Sequence, residues 1–479
     1  MASLLLTNGY VVTVDAERRV IERGWIAVEG NSIAAIGAMS ELGEHSAAET
    51  IDLGGKLVLP GFVNGHNHHW GSLFKNTGEG LLLEDWLAQV ALPLGAQLGD
   101  ADLEVAGYLG AIEQIRTGTT CSLNHVILTH DADSIEAMVR PVVEVGVRQL
   151  VTKELRETPD PPFSDRHPAV PHVRDREREL ALAAEVIDRF DGRGGLIHMG
   201  LAIETGANWM LHNTSSEEII AAGVELAERR GLKITNHCSS TTPWLSVAEF
   251  ERQTGGGEID YLDRLGALSD RWVFAHVLHL KRRELDQIAG CGASVVVNPV
   301  SNAYSCVGLP PMRALFEAGM PIGLGSDGTY VNCSPDMVEQ MKFAALTGNA
   351  THFDPTLMTA ERVIEMATIG SATAIGLDHL IGSLEVGKRA DLAVFDLSRA
   401  HATVGNRPIA ALVFSAHGTD VDTVVVDGEV VLRDGRLVRF ADERAVLAEA
   451  RVRAREAIER AGLDRRVFVP WRVGAGAGG

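Results

Sequence analysis

Cysteine is scarce and scattered in this chain. The five present among 479 residues (Cys121, Cys238, Cys291, Cys306 and Cys333) form no C-x-x-C pair, which excludes a disulfide framework and fits a reducing cytoplasm. Positive charge is also short, with 43 Lys and Arg against 64 Asp and Glu and a formal net charge of −21. Nucleic acid is gripped through clustered basic side chains, so this balance excludes it as a partner. No run of 18 apolar residues occurs, so no membrane-spanning helix is expected. The opening stretch MASLLLTNGYVVTVD lacks a basic segment and is interrupted by Asn8-Gly9, unlike a signal peptide. Neither G-x-G-x-x-G nor G-x-x-x-x-G-K-[ST] follows a candidate strand, which leaves an open nucleotide-binding sheet without support. What is there is ordinary for a soluble globular protein: 46% hydrophobic and 22% charged residues, in a chain long enough for one large barrel with an appendage.

The two ends share a texture. Residues 1–58 read as short β-branched runs separated by Gly or Asn-Gly, and the texture returns in ADLAVFDL and VDTVVVDGEVVLRDGRLV, where Asp427-Gly428 and Asp434-Gly435 mark turns. Chain termini commonly lie close together, so residues 1–58 and 381–440 are expected to form one composite β-sandwich. Between them, residues 59–380 alternate apolar runs with helical periodicity. Eight candidate strands stand out: 62–66, 119–123, 148–152, 196–202, 233–237, 272–276, 293–297 and 321–325. Eight strands alternating with helices predict an α/β fold, a parallel (β/α)8 TIM barrel. Residues 441–479 are read as a helix over 441–463, with Glu449/Arg453 and Glu456/Arg460 pairs, followed by a flexible tail. The Pro-rich segment 157–174 follows the third strand; a loop of that length is expected to be functional or disordered, and as a functional one to cover the barrel mouth.

The stretch the middle is organised around is LVLPGFVNGHNHHW, residues 57–70. Side chains two apart on an extended strand leave the same face, so His66 and His68 reach one point beyond the strand end, an arrangement that suits a metal such as zinc. A chain with 17 His produces such a pair by chance, so context decides. Barrel enzymes carry their reactive groups at the C-terminal ends of the strands. His237 ends strand five, His276 ends strand six and Asp327 follows strand eight in GLGSDG. Three His and one carboxylate at one rim, with a further His beside them, predict an open metal site with room for water.

The motifs PGFVNGHNHHWGSLFKN, DWLAQVALPL, GAIEQIRTGTTCSLNH, NHCSS, VFAHVLHL, NPVSNAYSCVGLPPMRALFEAGMPIGLGSDG and GSLEVGKRADLAVFDL resemble, in order and over nearly the whole chain, the amidohydrolase superfamily. Within it they are similar to the branch of cytosine, guanine, 8-oxoguanine and methylthioadenosine/adenosylhomocysteine deaminases and the triazine hydrolases. The resemblance implies a distorted (β/α)8 barrel with a β-sandwich from both ends, a homodimer, and hydrolysis of a C–N bond of a nitrogen heterocycle or amidine with release of ammonia or an amine. It implies His66, His68, His237 and Asp327 as ligands of one divalent metal, zinc first with iron(II) as the alternative. Asp327 then also serves as proton acceptor, and His276 bonds the attacking water or the developing oxyanion.

One departure stands out. In that branch the strand-five His is usually followed three residues later by a Glu that protonates the ring, whereas this chain reads His237-Cys238-Ser239-Ser240. A hydroxyl donates a hydrogen bond but does not replace a carboxylic acid. Glu204, just past strand four, is the candidate replacement acid. The alternative is a substrate that needs no ring protonation, as in a hydrolytic dehalogenase; a barrel that binds metal and ligand without turnover is the remaining rival. Candidate substrate contacts are His125, Ser240, Lys153, Trp86 and Asn302, with Trp70 and Trp209 as further stacking surfaces for a small heterocycle. His69 is expected to face away from the site and pack.

Overall fold

In the computed structural model of the chain, residues 2–127, 131–157, 175–205 and 215–463 are described. The segment 158–174, Trp209 and the end of the tail lie outside them.

Eight parallel strands lie side by side in chain order: Phe62–Asn67, Thr119–Val126, Arg148–Glu154, Ile197–Ala202, Ile234–Cys238, Trp272–His276, Ser294–Val297 and Ile322–Leu324. Each coincides with a strand expected from sequence. Strands two and three run two or three residues further than expected. The runs are Val- and Ile-rich because both faces are covered, side chains of the barrel interior on one side and the helix layer on the other. The helix Ala132–Val145 shows how the sequence builds that layer. Asp131 caps it by accepting from the backbone N–H groups of Asp133 and Ser134, Gly146 ends it at φ 95°, and Ile135, Met138, Val139 and Val142 form a buried stripe.

Strands eight and one, at the ends of the sheet order, meet beyond their last residues. Asp327 N–H donates to the His66 carbonyl at 2.9 Å. The Asn64 side chain spans the same gap, donating to Ser326 Oγ at 2.7 Å and accepting from Ser326 N–H at 2.9 Å. This nearly closes the barrel and sets Asp327 beside His66.

Both chain ends build one nine-stranded sheet. It runs Arg436–Leu437, Glu429–Arg433, Val421–Val426, Leu392–Phe395, Leu57–Pro60, Ala2–Val12, Val20–Glu29 and Ser32–Ala38, with Ala47–Asp52 paired alongside Ala2–Val12. The two ends join where Val58 lies opposite Val394 in an antiparallel pair. Period-two alternation sends Leu4, Leu6, Ile26 and Val28 to one face, with Val58, Leu392 and Val394, and Leu5, Trp25 and Ala27 to the other. At the start of barrel strand three the buried Arg148 donates to both oxygens of Asp391, at 2.9 and 3.2 Å, and to Asp427 at 2.9 Å. That charged contact fastens the sheet to the N-terminal end of the barrel, away from the rim that carries the histidines.

The last helix, Glu443–Arg460, keeps the Glu449–Arg453 pair at 2.7 Å, but Arg460 turns to Asp102 at 2.6 Å rather than to Glu456. No helix among the described residues is long and apolar enough to cross a membrane.

Candidate active site

The C-terminal rim gathers the predicted residues. His66 sits inside the first strand and His68 just beyond its end, so both rings leave the same face; their centroids are 4.8 Å apart. Strand register brings in the next group. Ile234 pairs with Leu201 and Thr235 with Ala202, and continuing that count sets His237 beside Glu204. His276 and Asp327 are non-glycine residues at φ 75° and 63°, and Ser239 lies at φ 47°. Left-handed backbone at such residues carries a conformational cost and recurs at functional sites.

The hydrogen bonds fix the tautomers. His68 Nδ1 lies 2.7 Å from the His125 carbonyl, an acceptor only, so Nδ1 carries the proton and Nε2 a lone pair. His237 Nδ1 donates to Glu204 Oε1 at 2.6 Å, which leaves its Nε2 as the ring's second coordinating position. These two Nε2 atoms are 3.1 Å apart. That distance suits a proton on His237 or a cation held by both rings. Asp327 Oδ1 is 3.3 Å from His68 Nε2 and 3.7 Å from His66 Nε2, and both ring nitrogens of the buried His66 lack a hydrogen-bond partner. One proton cannot serve four converging acceptors, whereas a divalent metal ion can. His66, His68, His237 and Asp327 are side chains able to hold one, and His66 with His276 and Asp327, or His125 with Glu204 and His237, also come close enough together.

The electrostatics agree for three of the four; at His237 burial acts downward, but the Glu204 and Asp327 carboxylates outweigh it and raise the ring, so in the absence of a metal the proton sits there. Burial pushes His66 and His68 well below the ordinary imidazole range, and their neighbouring imidazoles add to the effect for His66, so both are neutral donors of lone pairs. For Asp327 burial acts upward, but His276, His68 and His237 outweigh it and hold the carboxyl low, hence ionised. Ser301 Oγ donates to Asp327 Oδ2 at 2.5 Å, and Gly328 N–H to Oδ1 at 2.6 Å. His276 Nδ1 donates to Asn302 Oδ1 at 2.7 Å, which turns Nε2 toward Asp327 Oδ2 at 3.8 Å.

Above these groups lies a cleft open to solvent. One wall is apolar, with Leu83, Trp86, Leu87, Leu92 and Tyr330, the Trp86 and Tyr330 rings stacked at 4.7 Å. The other carries Glu154, Arg156, Ser240 and Thr241, with His68, His237, His276 and Asp327 at the floor.

Several expectations change. Lys153 does not reach the cleft: strand three continues to Glu154, so Lys153 is still in the strand and faces the helix layer, where Nζ donates to Glu179 Oε1 at 2.5 Å. Alternation gives the cleft to Glu154 instead. His125 is fully buried beneath the cleft, with Nε2 3.2 Å from Glu204 Oε1, so it contacts Glu204 rather than a substrate. Glu204 lines the cleft; its Oε1 accepts from His237 Nδ1 and lies 3.2 Å from His125 Nε2, and although burial acts upward those two imidazoles hold its carboxyl well below the usual range. Its Oε1 is taken up behind a ligand imidazole, and its buried Oε2 has no hydrogen-bond partner. Asn302 lines the cleft while holding His276. Trp86 and Ser240 stand on the cleft wall as expected, and His69 is buried away from it. Ser301 and Tyr330 were missed by the sequence reading. Ser301 adjoins Asn302 in NPVSNA, which was a readable signal; nothing in the sequence marks Tyr330.

Comparison with known proteins agrees with the geometry. The amidohydrolase family model matches residues 57–431. A 5-methylthioadenosine/S-adenosylhomocysteine deaminase from Nitratidesulfovibrio vulgaris (strain DP4) is 34% identical over 451 residues, covering 93% of this chain and 95% of its own. A 5'-deoxyadenosine deaminase from Methanothermobacter thermautotrophicus is 33% identical over 454 residues, covering 95% and 98%. Among solved structures, an adenosine deaminase from Xanthomonas campestris with bound zinc has a TM-score of 0.86 at 27% identity, covering 96% of this chain and 99% of that one. The zinc complex of the atrazine chlorohydrolase of Arthrobacter aurescens, at 22% identity and a TM-score of 0.84 over 94% and 100%, shares the fold. This chain belongs to the amidohydrolase family and is a hydrolase acting on C–N bonds other than peptide bonds.

Proposed function

We propose that the chain is a zinc-dependent aminohydrolase that replaces the exocyclic amine of an adenine nucleoside, altered at its 5' position, with oxygen and releases ammonia. The observation that carries the reading is the pair of Nε2 atoms of His68 and His237 facing each other at 3.1 Å with both Nδ1–H groups already committed. The deaminase relatives and the zinc-containing neighbour favour this substrate class and this metal.

His66, His68, His237 and Asp327 would hold the ion, which when bound supplies Lewis-acid activation of water at neutral pH. Asp327, ionised and held by Ser301 through Oδ2, takes the proton of the attacking water and returns it to the departing amine. His276, oriented by Asn302, turns the lone pair of Nε2 to the attacking water and accepts a hydrogen bond from it. Trp86 and Tyr330 offer a flat apolar wall to the heterocycle, and Ser240 offers it a hydroxyl donor. The apolar side of the cleft suits an uncharged 5' substituent better than a phosphate.

The test is a panel of 5'-methylthioadenosine, S-adenosylhomocysteine, 5'-deoxyadenosine, adenosine and 6-chloropurine riboside, assayed for ammonia and chloride with the zinc-loaded protein. Ammonia from at least one 5'-altered nucleoside is expected. Chloride release with no ammonia from any amino substrate would reject the reading.

A further inference from the structure

We infer that Glu204 is a positioning residue of the metal centre, with His125 as its support, and that it sets zinc affinity through His237 rather than passing a proton to the substrate. The inference rests on the reading of His66, His68, His237 and Asp327 as metal ligands.

Its basis is where the backbone sets three residues, from the ends of strands two, four and five. Strand four runs alongside strand five in a register that reaches Glu204 and His237 together: Ile203 N–H donates to the Thr235 carbonyl at 3.0 Å, one step short of the pair. The carboxylate is 2% exposed, and its Oε1 is the point on which two imidazoles converge, His237 Nδ1 at 2.6 Å and His125 Nε2 at 3.2 Å. A proton donor to a substrate needs an oxygen turned toward the reacting ring. Here Oε1 is turned to the far side of a ligand imidazole, the place from which a carboxylate fixes the ring tautomer and raises the donor strength of Nε2, while Oε2 has no hydrogen-bond partner, so turnover of E204Q at saturating zinc is what separates the two roles.

His125 holds the arrangement twice. Its carbonyl accepts from His68 Nδ1 at 2.7 Å, and its ring meets Glu204. One residue on strand two thus steadies two of the three ligand imidazoles, one directly and one through Glu204. Charge points the same way. A divalent ion with three neutral imidazoles and the Asp327 carboxylate keeps one positive charge in a buried site, and Glu204 behind His237 offsets it.

The test is zinc affinity of the full-length chain, measured by competition with a chromophoric chelator, for wild type, E204A, E204Q and H125A, with the melting temperature of each metal-free protein. E204A is expected to bind zinc about 10- to 100-fold more weakly. E204Q, whose amide oxygen still accepts from His237 Nδ1–H, loses less than E204A, and H125A loses affinity in the same direction. At saturating zinc, E204Q retains turnover within about tenfold of wild type. If E204A melts below the assay temperature, E204Q and E204D carry the comparison. Wild-type zinc affinity in E204A, or E204Q that binds zinc normally yet loses about a thousandfold in turnover when saturated, would overturn the inference. A wild-type chain that binds no divalent metal fails at an earlier step, the ligand reading itself, and is told apart because no variant is needed to see it.

Discussion

Ser301→Ala isolates one hydrogen bond at the base. The Ser301 hydroxyl is buried and donates to Asp327 Oδ2 at 2.5 Å, while Oδ1 keeps its separate bond from Gly328 N–H. The variant therefore leaves the carboxylate where it is and removes part of what stabilises its anion. A buried hydrogen bond to a charged group contributes about 1.5–3 kcal/mol, and one pKa unit corresponds to about 1.4 kcal/mol, so the Asp327 carboxyl rises by about 1–2 units. An acid that is easier to protonate loses its base form at higher pH. The acid limb of kcat/KM, where Asp327 must be ionised to take a proton, is thus expected to move upward by about one unit, with a smaller change on the plateau. The assay is ammonia release against pH at saturating zinc, with zinc content checked at each pH. An acid limb that stays in place, or moves to lower pH, would refute Asp327 as the base held by Ser301.

Lys153→Met tests the correction on strand three. The side chain is buried against Glu179 and away from the cleft, so removing the ammonium costs about 3–5 kcal/mol of stability in urea denaturation while KM stays within about twofold; a large rise in KM would return Lys153 to the substrate. Glu258 gives a pH signature. Burial pushes its carboxyl up to about 7 from an ordinary 4.5. The native state therefore holds a proton that the unfolded chain has lost, and stability falls as pH rises from about 4.5 to 7, by on the order of 3 kcal/mol. Glu258→Gln should flatten that slope, and a slope unchanged in the variant would contradict the assignment.

The barrel was legible because each strand is a short β-branched run between helical stretches, and the rim because His66, His68, His237, His276 and Asp327 all fall at strand ends. The union of the two chain ends was legible from shared turn chemistry at Asn8-Gly9 and Asp427-Gly428. Two things were not. Strand length is set by pairing partners, and Lys153 was assigned to the cleft because strand three was ended two residues early. Register between neighbouring strands leaves no trace in one sequence, so the meeting of Glu204 with His237, and the place of His125 beneath them, emerged only from the fold. Asn302 and Ser301 show a related gap: NPVSNA reads as a loop near the metal, but which side chain reaches His276 and which reaches Asp327 depends on the turn of a six-residue helix, Pro299–Tyr304.

The central claim is that four side chains converge on one divalent ion. Metal analysis of the purified chain after equilibration with zinc and extensive dialysis, for wild type and for His66→Ala and Asp327→Ala, tests it most directly. The account predicts close to one tightly held equivalent in wild type and its loss in both variants, with the barrel still folded by circular dichroism. Retention of the full equivalent in either variant, or none in the wild-type chain, would contradict it.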